Sequence, residues 1–131
     1  LYDFGIKMGL AFQLQDDYLD VYGDPAVFGK KIGGDILCNK KTFMLITALS
    51  LSEGEDKETL LNWLRVTDYV AEEKIQSVTA LYNKVGVPEL CQARIDAYYK
   101  EGLELLDKVN VESSLKEELK KFVCHLMDRK L

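Results

Sequence analysis

The chain has 131 residues, 47% hydrophobic and 30% charged, which is enough apolar material for one small core and lies outside the composition of disordered chains. A net charge of −5, without any run of Lys or Arg interleaved with aromatics, argues against a nucleic-acid surface, which needs excess positive charge to displace counterions. An acidic chain can still take anionic ligands if it supplies local lysines, or carboxylates bridged by metal ions.

Only Pro25 and Pro88 break the chain, and its second half is rich in Leu, Lys, Glu and Ala. Such a composition favours long helices, so the expected class is all-α with a single domain over 1–131. Cys38, Cys91 and Cys124 are odd in number and widely spaced, which suits reduced, cytosolic thiols better than a disulfide framework or a zinc site. The longest uncharged stretch, Thr42 to Ser52, falls well short of the roughly 20 residues that a spanning helix needs. No membrane span and a cytoplasmic location are expected. The chain opens inside a helical pattern at Leu1 with no capping residue before it, which predicts a fragment of a longer protein.

From Tyr2 to Val21, Phe4, Met8, Ala11, Phe12, Leu14, Leu19 and Val21 fit one or two faces of a long helix, which Gly23-Asp24-Pro25 ends. Gly5 and Gly9 lie four apart inside it, and close approach by another helix is the expected compensation for their low helix propensity. Between Gly23 and Asn39 the chain carries Gly29, Gly33 and Gly34 among Lys30, Lys31 and Lys40, and reads as a long functional loop. Short helices are expected over Lys41 to Leu51 and Lys57 to Thr67. Asp68 should cap an amphipathic helix with Val70, Ile75, Val78, Leu81, Tyr82 and Val85 on its inner side, ending at Gly86. Pro88 to Val109 should bury Leu90, Ile95, Tyr98, Leu103, Leu105 and Leu106. A last helix, from Val111 or Glu112 to Arg129, should bury Leu115, Leu119, Phe122, Val123 and Leu126. The array predicts an antiparallel helical assembly.

Asp16, Asp17 and Asp20 occupy little more than one helical turn, and the i, i+4 spacing puts Asp16 and Asp20 on one face. Their mutual repulsion costs a few tenths of a kcal/mol per pair, roughly, unless a cation offsets it. Mg²⁺ suits the pattern because it takes a few carboxylate oxygens, keeps several waters and fills its remaining positions with phosphate oxygens. A bare Asp-Asp-x-x-Asp pattern is equally compatible with a solvated acidic face, and the surrounding residues must decide.

Those residues are the run Gly9-Leu10-Ala11-Phe12-Gln13-Leu14-Gln15-Asp16-Asp17-Tyr18-Leu19-Asp20, followed by Gly23-Asp24, Gly29-Lys30, Gly33-Gly34-Asp35-Ile36 and Asn39-Lys40-Lys41-Thr42. The run resembles the second aspartate-rich region of the polyprenyl synthetases, the trans-isoprenyl diphosphate synthases, with each element in order. By that resemblance the fold is the C-terminal part of the all-helical isoprenoid synthase bundle. In that bundle two aspartate-rich helices face each other across magnesium ions. The first aspartate motif and its arginines do not occur between Leu1 and Leu131, so the missing half is expected upstream.

The resemblance makes Asp16 the principal magnesium ligand, with Asp17 and Asp20 completing the acidic face directly or through water. Gln13 would point its amide at the allylic group, where a carbonyl oxygen stabilises developing positive charge. Phe12 would wall the hydrocarbon pocket, although ordinary core packing fits that residue as well. Lys30 or Lys31, depending on the spacing to Gly33, and Lys40 would face the diphosphate, while each lysine taken singly also suits a solvated surface. The implied substrates are isopentenyl diphosphate and an allylic diphosphate, the cofactor is Mg²⁺, and the complete protein is a homodimer as relatives usually are. The 131-residue chain alone is expected to be inactive. A rival reading is a non-catalytic partner or regulatory subunit of a heteromeric prenyl diphosphate synthase. His125, Trp63 and the Tyr98-Tyr99 pair are read as packing groups, and Arg129-Lys130 as a cover for the site's mouth.

Overall fold

The computed structural model describes residues 1–23, 32–109 and 112–127, and among them there is helix and no strand. The helices are α1 (Tyr2–Tyr22), α2 (Gly34–Leu37), α3 (Phe43–Leu51), α4 (Gly54–Arg65), α5 (Ala71–Lys84), α6 (Val87–Asp107) and α7 (Ser113–Met127). Lys30 and Lys31 lie outside the described residues, as do Arg129 and Lys130.

The helix boundaries follow from local chemistry. Gly23 makes the last helical bond of α1, N–H to the Leu19 carbonyl at 2.8 Å, and its extended backbone (ψ 171°) then ends the helix; a Cβ there would stand 2.6 Å from that same oxygen. α3 begins at Phe43, not at Lys41, because Thr42 is the N-cap: its Oγ1 accepts the Leu45 N–H at 3.1 Å. α4 starts at Gly54, three residues earlier than Lys57, with Glu55 and Asp56 in the first turn, where carboxylates favour the positive end of the helix dipole. α5 starts at Ala71, behind Val70 and not behind an Asp68 cap. Gly86, at φ 80°, makes the left-handed turn that separates α5 from α6, and Pro88 sits in the first turn of α6, where no intrahelical donor is lost.

The expected long loop contains α2, a single helical turn closed by Leu37 N–H to Gly33 O at 3.0 Å and Cys38 N–H to Gly34 O at 3.1 Å. No hydrophobic periodicity announces a four-residue helix, which is why the pattern reads as loop.

α1 and α6, each of 21 residues, pack along one another and form the spine. α5 touches α2, α3, α4 and α6 and closes the other side. The main core gathers Ala11, Val21, Ile36, Met44, Leu45, Leu60, Val78, Tyr82, Val87, Cys91 and Ile95 from six helices. Each large apolar side chain fully removed from water contributes roughly 1.5–3 kcal/mol. A smaller cluster of Phe4, Leu106 and Val123 ties α7 to the far end of the spine.

Several burial expectations change. A Cβ at Gly5 or Gly9 would meet nothing within 4 Å, so neither glycine admits a neighbouring helix. The close approach is at Gly102 of α6 instead, where an added Cβ would collide with Met8 Cε and come within 3.4 Å of Lys7 Cβ. Val70 and Leu90 are exposed, and α7 buries Val123 while leaving Leu115 and Phe122 in solvent. Among the described residues α7 packs mainly against α1 and α6. The Leu126 side chain lies outside the described residues. Exposed Tyr2, Ile6 and Leu10 follow one another at i, i+4 along α1, and exposed Ile46, Leu51 and Leu90 share a groove between α3 and α6. No helix among the described residues is long and apolar enough to cross a membrane.

The Gly102 contact can be tested by urea unfolding. Gly102→Ala should be nearly neutral, because the Met8 methyl can swing away and alanine recovers about 1 kcal/mol of helix propensity. Gly102→Val should cost about 1–3 kcal/mol, because the Lys7 Cβ is fixed by its backbone and cannot retreat.

Candidate active site

The last two turns of α1 carry the acidic residues, and helical spacing turns Asp17 and Asp20, three apart, toward α2. Both are buried, at 7% and 4% exposure. Carboxylates in such positions need donors, and the next segment supplies them. The Asp35 N–H reaches the Asp20 carboxylate at Oδ2, 2.8 Å away, while the Gly33 N–H bonds the Asp20 main-chain carbonyl at 2.6 Å and ties the two segments together. Gly33 is at φ 97° with the Ile75 side chain 2.6 Å from where a Cβ would sit, so both the backbone conformation and the space require glycine.

Lys40 then returns over the cluster. Its Nζ is 3.0 Å from Asp17 Oδ1 and 3.8 Å from Asp35 Oδ2. The hydrogen bond to Asp17, with the charges of Asp17, Asp35 and Asp20 around it, raises the Lys40 pKa above the ordinary lysine value. The arrangement therefore brings Asp17, Asp20, Asp35 and Lys40 together, while Asp16 stands half-buried next to them on the same helix turn. Beneath them, burial and the nearby Asp17 charge push the Cys91 thiol up to about 12, which keeps it protonated.

On the flank of the cluster an open cavity of about 300 Å³ is lined by Leu10, Gln13, Leu14, Asp17, Lys40, Lys41, Thr42, Phe43, Arg94 and Tyr98. Its lining mixes apolar and aromatic groups (Leu10, Leu14, Phe43 and Tyr98) with Asp17 and three cations, Lys40, Lys41 and, from α6, Arg94. Phe12 is half-buried and is not among the lining residues. Sequence reasoning had not singled out Lys41, Arg94 or Asp35 as members of a site. Asp35 was visible only as the acid after Gly33-Gly34, and Arg94 carried no signal because it is 81 positions beyond Gln13 in the chain.

Among the described residues, no three His, Cys, Asp or Glu side chains enclose a metal by themselves. The donor chemistry nevertheless suits a hard cation: the acids of α1 and Asp35 offer only carboxylate oxygens, and the neighbouring thiol is held neutral. Mg²⁺ uses one or two protein carboxylates and completes its shell with water and phosphate, so it needs no closed protein cage.

Residues 1–83 match the polyprenyl synthetase family. The chain belongs to that family. It is 35% identical over 118 residues to the short chain isoprenyl diphosphate synthase of Methanothermobacter thermautotrophicus, covering 88% of this chain and 35% of that protein. It is 36% identical over 104 residues to the farnesyl pyrophosphate synthase of Gallus gallus, covering 79% of this chain and 27% of that protein. The crystal structure of a geranylgeranyl pyrophosphate synthase from Corynebacterium glutamicum, complexed with isoprenyl diphosphate and magnesium, has a TM-score of 0.86 to this chain at 30% identity, over 98% of this chain and 36% of the other. The helices are thus part of the isoprenoid synthase bundle, and this polyprenyl synthetase chain spans about a third of the length of the relatives it matches.

Removing the cation of the Asp17 pair is directly measurable. Lys40→Met should destabilise the fold by about 1 kcal/mol near neutral pH, less than a fully buried pair would lose, because Lys40 is half exposed. Since the folded-state pKa of Lys40 is raised, its contribution is complete below the ordinary lysine value of 10.5 and is lost as pH rises through the higher folded value. Thermal midpoints of the two proteins should stay a constant distance apart between about pH 6 and 9 and converge above 10.5. A gap that widens at high pH would contradict the assignment.

Proposed function

We propose that the protein carrying this chain is a magnesium-dependent prenyltransferase that condenses isopentenyl diphosphate with an allylic diphosphate into a longer trans-isoprenyl diphosphate. The observation that carries the reading is the Lys40–Asp17 pair on the aspartate-rich turn of α1, next to a cavity lined both by apolar side chains and by three cations. Such a cavity matches a ligand with a hydrocarbon body and a polyanionic head.

In this reading Asp16 is the principal carboxylate for magnesium, and Asp17 and Asp20 complete the acidic face directly or through water. Bound magnesium supplies positive charge at the diphosphate as it leaves. Lys40, together with Lys30 or Lys31, gives the diphosphate a fixed cation that stays in place while the leaving group gains negative charge. Gln13 turns its amide carbonyl toward the allylic carbon, where positive charge develops, while Phe12, which does not line the cavity, keeps its core-packing reading. The allylic carbon–oxygen bond breaks with its electron pair going to the diphosphate. The alkene of isopentenyl diphosphate then forms the new carbon–carbon bond, and a proton leaves to restore a double bond. No side chain acts as a nucleophile. The residues lower the barrier by holding charge and geometry.

Two further expectations belong to this reading: the complete protein is a homodimer, and the 131-residue chain alone, with one aspartate-rich helix, does not turn over. The test is pyrophosphate release by the intact protein given isopentenyl diphosphate and dimethylallyl, geranyl or farnesyl diphosphate, with and without Mg²⁺. Release should require the metal and both substrates, and Asp16→Ala should lower it by about 100-fold or more. An intact protein that is inert with every primer would overturn the catalytic reading in favour of a partner subunit, and turnover by the isolated chain would overturn the expectation for the fragment.

A further inference from the structure

Lys74 is the one buried lysine among the described residues, 1% exposed, in the first turn of α5. The position is unfavourable twice over. Burial strips the ammonium of water, and the N-terminal turn places it at the positive end of the helix dipole. It makes no ion pair among the described residues. Its Nζ donates to Asn39 Oδ1 at 2.6 Å and lies 4.7 Å from the centre of the Tyr69 ring. An apolar side chain of similar volume would fill the same space at lower cost, so the charge calls for a purpose other than packing.

Asn39 supplies one. It is the only non-glycine residue with positive φ among the described residues, at 56°. Asparagine is among the few side chains that tolerate this left-handed conformation, and here both ends of its amide are held. Because an ammonium can only donate, Oδ1 must face Lys74, and this leaves Nδ2 to donate to the Leu64 carbonyl at 3.3 Å. The left-handed turn at Asn39 ends α2 and reverses the chain, so that the Lys40 N–H meets the Asp35 carbonyl at 2.9 Å and the Lys40 side chain meets Asp17. Tyr69 adds a second tie by donating its hydroxyl to the Leu37 carbonyl at 3.2 Å.

We infer that Lys74 is a positioning residue: it holds Asn39 in the left-handed turn and thereby places Lys40 over the acidic cluster. The inference rests on the reading of Lys40 as a diphosphate-binding lysine for its functional consequence, but not for the structural coupling itself. Lys74 acts on Lys40 through Asn39, its hydrogen-bond partner.

The experiment compares the intact protein with Lys74→Met, with Asn39→Gly and with both, using two readouts: hydrogen exchange over residues 36–42 and Mg²⁺-dependent affinity for inorganic pyrophosphate. Lys74→Met keeps the volume and removes the donor. It should speed exchange in 36–42 while leaving α1 and α6 protected, and weaken pyrophosphate binding by about tenfold. Asn39→Gly allows the same backbone turn without the amide that Lys74 grips. It should loosen the same segment, and it serves as the test if Lys74→Met fails to fold. The double variant should be no worse than the weaker-binding single one, because the two changes remove one interaction. Unchanged exchange in 36–42 after either single substitution overturns the inference. So does a Lys74→Met affinity loss of the same factor whether or not Asn39→Gly is present, which would mark Lys74 as a general packing residue. If the unsubstituted protein binds no pyrophosphate with Mg²⁺, the proposed function fails, and the exchange result alone still decides the role of Lys74.

Discussion

Two carboxylates on the buried side of α1, Asp17 and Asp20, must each be met by a donor, and much of the surrounding architecture answers that requirement. A helix this apolar would normally present hydrophobic side chains at those positions. The Asp35 amide meets Asp20, the Lys40 ammonium meets Asp17, and the chain between them has room for only one helical turn, α2. Gly33 allows that turn to begin against Ile75, and Thr42 starts α3 as soon as Lys40 has been delivered. The acids therefore help set the path of the chain from Gly33 to α3, alongside the burial of Ile36 in the main core.

Beneath this connection a second polar layer carries the load across to α4 and α5. Lys74 and the Leu64 carbonyl hold Asn39, and Tyr69 holds the end of α2. Trp63 meets the Tyr69 ring edge-on at 6.2 Å and donates its indole N–H to Ser77 Oγ at 2.8 Å. Buried polar chains of this kind are costly unless their donors and acceptors find partners, and in return they define one arrangement of the backbone. The spine of α1 and α6 is packed differently, through apolar contact and the single glycine at position 102. One side of α1 thus has its conformation specified by hydrogen bonds, and the opposite side is kept close to α6 by the absence of a side chain.

The site follows from that division. The cluster side holds charge in fixed positions, while the flank toward α3 and α6 opens into the cavity that Gln13, Lys41 and Arg94 line. A chain of net charge −5 thereby brings three cations to the lining of one cavity. The match of residues 1–83 to the polyprenyl synthetases covers the acidic cluster and both polar layers, so the family's signature stretch and this network occupy the same part of the chain.

The sequence by itself determined the all-helical class, the glycine and proline boundaries at Gly23, Gly86 and Pro88, and the family, because these are set by backbone chemistry and by an ordered motif that local residues carry. It also placed Lys40 and the three α1 aspartates in one functional stretch. Tertiary structure alone decided which glycine lets helices touch: Gly5 and Gly9 look like a packing motif, but contact depends on what lies opposite, and the close neighbour stands at Gly102, far along the chain. The same holds for α7, whose apolar pattern predicts burial of Leu115 and Phe122, both exposed among the described residues. Asp35, Arg94 and Lys74 were invisible as site residues for a related reason. Asp35 meets Asp20 across 15 positions, Lys74 meets Asn39 across 35, and Arg94 shares a cavity with Gln13 from 81 positions away, and no periodicity or spacing in one sequence encodes which distant elements will be packed together.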